Sequence, residues 1–166
     1  MQPNGAAAFN VSGDAYDRFM GRYSRPLAVE FATFADIDEA ALRVLDVGCG
    51  PGALTAELVR RVGASSVLAC DPSPSFVAAC AARNPGVEVR SGTAEQVPFD
   101  DDSVDAAVAQ LVLHFVSDPP AAAAELGRVV RPGGTIAACV WDFDEGMEML
   151  RSFWDAALQV DPGAPD

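Results

Sequence analysis

Arg43-Val44-Leu45-Asp46-Val47-Gly48-Cys49-Gly50-Pro51-Gly52 decides how the rest of this 166-residue chain is read. Val44, Leu45 and Val47 form an apolar, partly β-branched run, the composition of a short buried strand. Glycines follow at 48, 50 and 52, and Ala53 to Arg61 then carries a helical pattern. The stretch predicts a strand, a glycine-rich turn and a helix. Glycine lets backbone come close to a ligand and adopt φ values that other residues resist. The free N–H groups of the first helical turn face such a loop, which suits an anionic or polar ligand.

The same alternation repeats downstream. Strands are predicted at 43–47, 66–71, 87–91, 104–109 and 135–141. Helices are predicted at about 53–62, 73–83, 121–130 and 145–159, with Asn84-Pro85-Gly86 and Arg131-Pro132-Gly133-Gly134 as stops. Strands separated by helices imply parallel pairing through right-handed crossovers. Short strands that are apolar on both faces imply helices on both sides of the sheet. The fold class is α/β, doubly wound.

Upstream, residues 1–14 read as a flexible start. Tyr16, Phe19, Met20 and Tyr23 share one helical face, and Pro26 opens a second helix running to about Ala35. Asp36 to Ala41 is an acidic connection. The organisation is a helical segment over 15–41, one α/β domain over 42–160 and a tail over 161–166.

Eleven Lys and Arg against 24 Asp and Glu give a formal charge of -13. That sign repels nucleic acid and anionic membrane surfaces and favours small-molecule or protein partners, although acidity also serves solubility alone. The start lacks a basic and apolar leader pattern, and no apolar run reaches the roughly 18 residues of a membrane span. Cys49, Cys70, Cys80 and Cys139 show no metal-ligand spacing, so no metal site is expected. They suit reduced thiols in a cytoplasmic protein.

Gly48-x-Gly50-x-x-Ala53, with Asp71 about 20 residues on, also fits a loose dinucleotide fingerprint, so a nicotinamide enzyme is one alternative. Asp46 opposes a pyrophosphate and favours a cationic or amino-bearing ligand. A plain strand–helix turn at the glycines, a loop-capping Asp46 and a helix-capping Asp71 are the structural alternatives.

The string Asp46-x-Gly48-x-Gly50-x-Gly52 resembles motif I of the class I S-adenosylmethionine-dependent methyltransferases. The resemblance runs in order from Tyr16 to Trp141. Asp71, followed by Pro72, stands where that family holds the ribose hydroxyls. Gly92-Thr93-Ala94-Glu95-Gln96-Val97-Pro98-Phe99 resembles the G-D-A-x-x-L-P-F segment beside the adenine, with Thr93 where Asp is usual. Gln110-Leu111-Val112-Leu113-His114 follows strand four as in the small-molecule branch. Leu126-Gly127-Arg128-Val129-Val130-Arg131-Pro132-Gly133-Gly134 matches that branch's L-x-R-V-L-x-P-G-G. Tyr16-Asp17-Arg18-Phe19-Met20-Gly21-Arg22-Tyr23-Ser24 looks like its lid.

The resemblance implies a mostly parallel Rossmann-like sheet, S-adenosylmethionine as cofactor and methyl transfer to a small-molecule acceptor. It assigns cofactor binding to Tyr16, Arg22, Asp46, Gly48, Cys49, Gly50, Gly52, Asp71, Pro72, Thr93, Ala94, Glu95 and Gln110, with Phe76 and Val97 as apolar walls. His114 is either a general base or a pocket wall. The family fold has seven strands, and nothing after Trp141 reads as the last two. Strand five is then an open edge, which leads to two expectations. The chain is a homodimer through that edge, or it is a cofactor-binding module with little or no turnover.

Overall fold

The computed structural model describes residues 13–38, 42–142 and 146–161. Residues 1–12 of the flexible start expected over 1–14, the end of the acidic connection at 39–41, the first residue of the predicted last helix and the tail after 161 lie outside the described residues; Gly13 and Asp14 of that start are helical.

Five strands form one parallel sheet: β1 (Val44–Val47), β2 (Val67–Asp71), β3 (Glu88–Ser91), β4 (Val104–Gln110) and β5 (Val130–Cys139). The spatial order is β3-β2-β1-β4-β5. The chain starts at the centre, builds outward to β3, then crosses to β4 and β5. That reversal beside β1 is the switch point where open α/β sheets bind ligands.

Among the described residues four α-helices pack on the sheet or on one another, α1 (Gly13–Phe34), α2 (Ala53–Val62), α3 (Pro74–Arg83) and α4 (Pro119–Val129), and a fifth, α5 (Glu148–Val160), follows β5 as a mostly exposed helix. On one face Phe31 and Ala32 of α1 and Leu54 and Leu58 of α2 pack on Val44, Val67, Ala106 and Val108. On the other, Ala122, Leu126 and Val129 of α4 pack on Leu45, Val47, Leu68 and Ala107. Alternation along each strand assigns these side chains to opposite faces.

Several expectations are corrected. Pro26 does not open a second helix, because α1 runs through it as one element. A mid-helix proline removes one backbone hydrogen bond. Packing on both sides carries the helix past it: Gly13 and Gly21 are buried before it, and Ala28, Phe31 and Ala32 after it. Arg61 reinforces the later half by donating to the carbonyls of Val29 and Ile37, while Glu57 holds its guanidinium. The face drawn from Tyr16, Phe19, Met20 and Tyr23 is not a buried one, since Phe19 and Tyr23 are exposed.

β3 is not apolar on both faces, being an edge strand of mostly exposed residues. β5 begins at Val130 and not at Thr135. Val104 pairs with Val130 but Ala106 pairs with Thr135, so the Pro-Gly-Gly stretch loops out within the strand. α4 begins at Pro119, with the Asp118 carboxylate accepting from the Ala121 amide. The last helix begins at Glu148. The predicted boundaries of α2 are reproduced.

Candidate active site

A cavity of about 350 Å³ opens at the C-terminal ends of β1, β2 and β4, within the size range of cofactor sites. Its floor is the glycine loop. Gly48 N and Cys49 N both donate to the Cys70 carbonyl, at 2.8 and 3.0 Å, fastening the loop to the end of β2. Gly48 has φ +71°, and a Cβ there would stand 2.5 Å from Val112 Cγ2. A side chain at 48 is therefore excluded by both backbone and neighbour. A Cβ at Gly50 meets nothing within 4 Å. Open space above Gly50 is the cradle in which a ligand can sit directly on backbone.

Asp71 organises one wall. Its Oδ2 accepts from Gly50 N at 2.9 Å and its Oδ1 from Ser73 N at 2.8 Å. One carboxylate thus ties the loop to the start of α3, which reconciles capping with ligand binding. Each oxygen has a second lone pair. Burial pushes its pKa up, and the two amide hydrogen bonds oppose that. Beside it Tyr16 of α1 packs on Phe76 of α3, ring centroids 5.1 Å apart. Both line the cavity.

Thr93, Ala94 and Glu95 form the opposite wall. Glu95 Oε1 accepts from Ser117 N at 2.8 Å, tying this wall to the loop after β4. Burial pushes the Glu95 carboxyl up, but the hydrogen bonds outweigh it and hold the group below its ordinary range. From behind, α4 fixes the same segment. Glu125 Oε2 accepts from Val97 N, and Arg128 donates to the carbonyls of Val97 and Phe99. The Arg128 of the L-x-R-V pattern is thus a clamp on the 93–99 loop.

The cavity brings together nine of the predicted cofactor-binding residues, Tyr16, Gly48, Gly50, Asp71, Pro72, Thr93, Ala94, Glu95 and Gln110, and the predicted wall Phe76. It does not bring in Arg22, Asp46, Cys49, Gly52, His114 or Val97. Asp46 lies behind the loop, 1% exposed, with Thr55 Oγ1 donating to its Oδ2 at 2.6 Å. Burial pushes its pKa up to about 7, Asp71 adds to the shift and Thr55 opposes it. Cys49 turns away into a buried cluster with Ala69 and Cys80. Gly52 faces α3, where a Cβ would stand 2.4 Å from Asn84 Nδ2. Arg22 is exposed and lies over the Tyr23 ring. The His114 ring packs edge-on against Phe115, and Phe115 rather than His114 reaches the cavity. Partial burial lowers the His114 pKa. Val97 is core, not wall.

Ser73 and, after β4, Leu111, Val112, Phe115, Val116 and Ser117 complete the lining. The switch-point rule points to this loop after β4, of which the sequence motifs mark Gln110, at the end of the strand, and His114. Leu111 has φ +60°, a strained conformation for leucine that no local sequence signal announces. No helix among the described residues is long and apolar enough to cross a membrane.

A family model described as a methyltransferase domain matches residues 45–138. An uncharacterized methyltransferase of Mycobacterium tuberculosis is 39% identical over 145 residues, covering 87% of this chain and 56% of that protein. The chain belongs to the class I S-adenosylmethionine-dependent methyltransferase family. A probable phthiotriol/phenolphthiotriol dimycocerosates methyltransferase of Mycobacterium ulcerans is 36% identical over 129 residues, covering 76% of this chain and 48% of that one. The crystal structure of an S-adenosylmethionine-dependent methyltransferase from Aquifex aeolicus superposes with a TM-score of 0.68 at 23% identity, covering 92% and 88% of the two chains. That likeness is one of fold. The methyltransferase chain spans about half the length of the curated relatives it matches.

Proposed function

We propose that this chain binds S-adenosylmethionine across Gly48–Gly50 and transfers its methyl group to a small-molecule acceptor, in the cytoplasm. The observation that carries this is the open backbone cradle at Gly50, tied by its own N–H to the Asp71 carboxylate. The residues present fit the cofactor. Asp71 offers lone pairs for ribose hydroxyls, Thr93, Ala94 and Phe76 line the same cavity and would flank the adenine, and Gln110 lies at the end of β4. When bound, the cofactor supplies a methyl group made electrophilic by its sulfonium.

The chain's own residues then position and exclude water. Leu111, Val112 and Phe115 give an apolar wall on the acceptor side. Orientation of nucleophile and methyl group supplies much of the rate, and desolvation of a cationic centre adds to it. His114 does not line the cavity, which favours its reading as a loop residue over a general base. Replacing His114 by Ala is expected to lower kcat less than about tenfold, below the range of a general base.

Calorimetric titration with S-adenosylhomocysteine tests the cofactor assignment: folded protein that gives no heat refutes it. Asp71→Ala is expected to weaken binding by about 1–3 kcal/mol, and unchanged affinity removes Asp71 from the site.

The edge position and exposure of β5 favour a second reading, a module that binds cofactor with little turnover. Label transfer from the cofactor to any small acceptor excludes it. The same exposed edge supports a homodimer through β5, and sedimentation as a monomer at micromolar concentration excludes that.

A further inference from the structure

Behind the cavity floor two thiols meet. Cys49 belongs to the glycine loop and Cys80 to α3, and both lie in one buried cluster. Their side chains share a hydrogen bond. Gly52 allows the approach. Its N–H donates to the Cys49 carbonyl at 3.0 Å, closing the turn. A Cβ on Gly52 would stand 3.0 Å from Cys80 Sγ and 3.4 Å from Cys80 Cα. The turn therefore lies directly on α3, and it carries the Cys49 thiol against that of Cys80.

The two thiols are not equivalent. Cys80 is wholly buried, with Thr55 Oγ1 at 3.4 Å and Asn84 Nδ2 at 3.8 Å from its sulfur. The hydrogen bond with Cys49 holds the Cys80 thiol below its ordinary value; burial and the Asp46 charge oppose this, and Thr55 and Asn84 support it. The same bond pushes the Cys49 thiol well above its ordinary value, and burial adds to that. Cys80 is thus the member closer to a thiolate and Cys49 the proton donor, which suits an attacking and a resolving thiol. A second cavity, of about 480 Å³, is lined by Gly52 and Asn84 beside Arg25 and Arg83. Gly52 and Asn84 are the same residues that abut Cys80. A small uncharged oxidant in that cavity is one side chain away from the sulfur.

We propose that Cys49 and Cys80 are a reversible redox switch, closing to a disulfide under hydrogen peroxide and, on the cofactor assignment above, shutting the cofactor cradle. The Cys80 thiolate attacks one peroxide oxygen and the O–O bond breaks. Cys80 becomes a sulfenic acid, and the departing hydroxide leaves as water with the proton that Cys80 gave up. The Cys49 sulfur then attacks the sulfenic sulfur, the S–O bond breaks, and the Cys49 proton leaves with the hydroxyl as a second water. Two thiols lose two electrons and one peroxide becomes two waters. A disulfide holds its sulfurs about 2 Å apart, well inside hydrogen-bond contact. Cys49 stands between Gly48 and Gly50, which line the cofactor cavity. Drawing it toward α3 strains the amide bonds that fix the loop, from Cys49 N–H to the Cys70 carbonyl and from Gly50 N–H to Asp71 Oδ2. In a reducing compartment such a disulfide is transient and serves sensing.

Hydrogen peroxide is applied to the wild type and to Cys80→Ser and Cys80→Ala, of which the variant that keeps the wild-type melting transition is carried forward. Non-reducing peptide mapping should find residues 49 and 80 crosslinked, with two hydrogen atoms lost. Calorimetry should find S-adenosylhomocysteine bound about tenfold or more weakly by the oxidised wild type, and dithiothreitol should restore it. The Cys80 variant should bind like the reduced wild type before and after peroxide. Cys49 and Cys80 left unlinked, a crosslink with unchanged affinity, a loss that dithiothreitol does not reverse, or an equal loss in the Cys80 variant overturns the proposal. The crosslink is read without ligand, so the two assignments fail separately. A reduced wild type that binds no S-adenosylhomocysteine overturns the cofactor assignment, and the control of binding with it, even where the crosslink forms.

Discussion

Val44 and Leu45 in β1 expose none of their surface, whereas Ile136 in β5 and Val140 just past it, two strands away, expose 48% and 53%. The difference extends to the loops. At the β1–β2 end, Gly48, Cys49, Gly50 and Ser73 all donate backbone N–H groups to β2 residues, and Asp71 alone takes two of them. At the β5 end, one backbone hydrogen bond, from Leu111 N–H to the Cys139 carbonyl at 2.8 Å, is joined by an aromatic edge, Tyr23 against Trp141. Beyond it Phe153, Trp154, Leu158 and Val160 of α5 are exposed. One end of the sheet holds its site by interlocked backbone hydrogen bonds. The other presents apolar surface that nothing among the described residues covers. A cofactor bound between such ends meets a preformed floor and an open far side.

The sharpest way to break this contrast is a pair of truncations. Leu45→Ala is expected to cost about 2–5 kcal/mol, the range for a fully buried leucine. Ile136→Ala should cost far less. Comparable losses in denaturant unfolding would show that β5 is covered in solution, by a second copy or another surface.

Next in size is a pH effect rooted in Asp46. An unfolded Asp46 ionises near pH 4, whereas the buried carboxyl keeps its proton to about 7. The folded state binds more protons between those limits, so stability falls as pH rises from about 4 to about 7 and is flat beyond. The full effect is at most on the order of 4 kcal/mol for a shift from 3.8 to about 7. Asp46→Asn, which keeps an acceptor for Thr55, should flatten that part of the profile. An unchanged slope would mean that Asp46 is ionised in its buried position.

Arg128→Ala tests the clamp behind the 93–99 wall. It is expected to cost about 1–2 kcal/mol and to speed amide exchange at Val97 to Phe99 more than in β1. Uniform changes would show that the wall does not depend on α4. The smallest effect belongs to the exposed end. Val140→Thr should change monomer stability by less than about 0.5 kcal/mol, and a larger shift that depends on protein concentration would mark an interface.

Much of the sheet was legible because its signals are local. Val44 to Gly52 declares a strand, a turn and a helix start by composition alone, and α2 falls where its periodicity places it. The positions of Asp71 and Ala94 follow from motif order. The misplacements share a physical cause, which is that tertiary packing overrides a local rule. Pro26 reads as a helix start, yet Phe31 and Ala32 on one side and the docked first turn on the other hold α1 together. Asp46 looks like a ligand contact because it adjoins the glycines. Strand alternation turns it instead toward Thr55 on α2, on the face opposite Leu45 and Val47. Cys49 sits between two cavity-lining glycines whose positive φ turns the loop, and its side chain packs with Ala69 and Cys80. The Gln110 contact with Ser24 joins residues 86 apart in sequence, and no spacing rule reaches that far.

The unbroken α1 has one more consequence. At 22 residues it spans about 33 Å, with Tyr16 on the cavity near one end and Phe31 in the core near the other. Ligand exchange past Tyr16 cannot proceed by swinging the whole rod, because that would pull Phe31 and Ala32 out of the sheet. It has to bend the rod, and the rung that Pro26 leaves unmade, next to the Arg22 carbonyl, is where bending costs least. The residue that reads as a helix boundary in the sequence is thus the crease of the folded molecule.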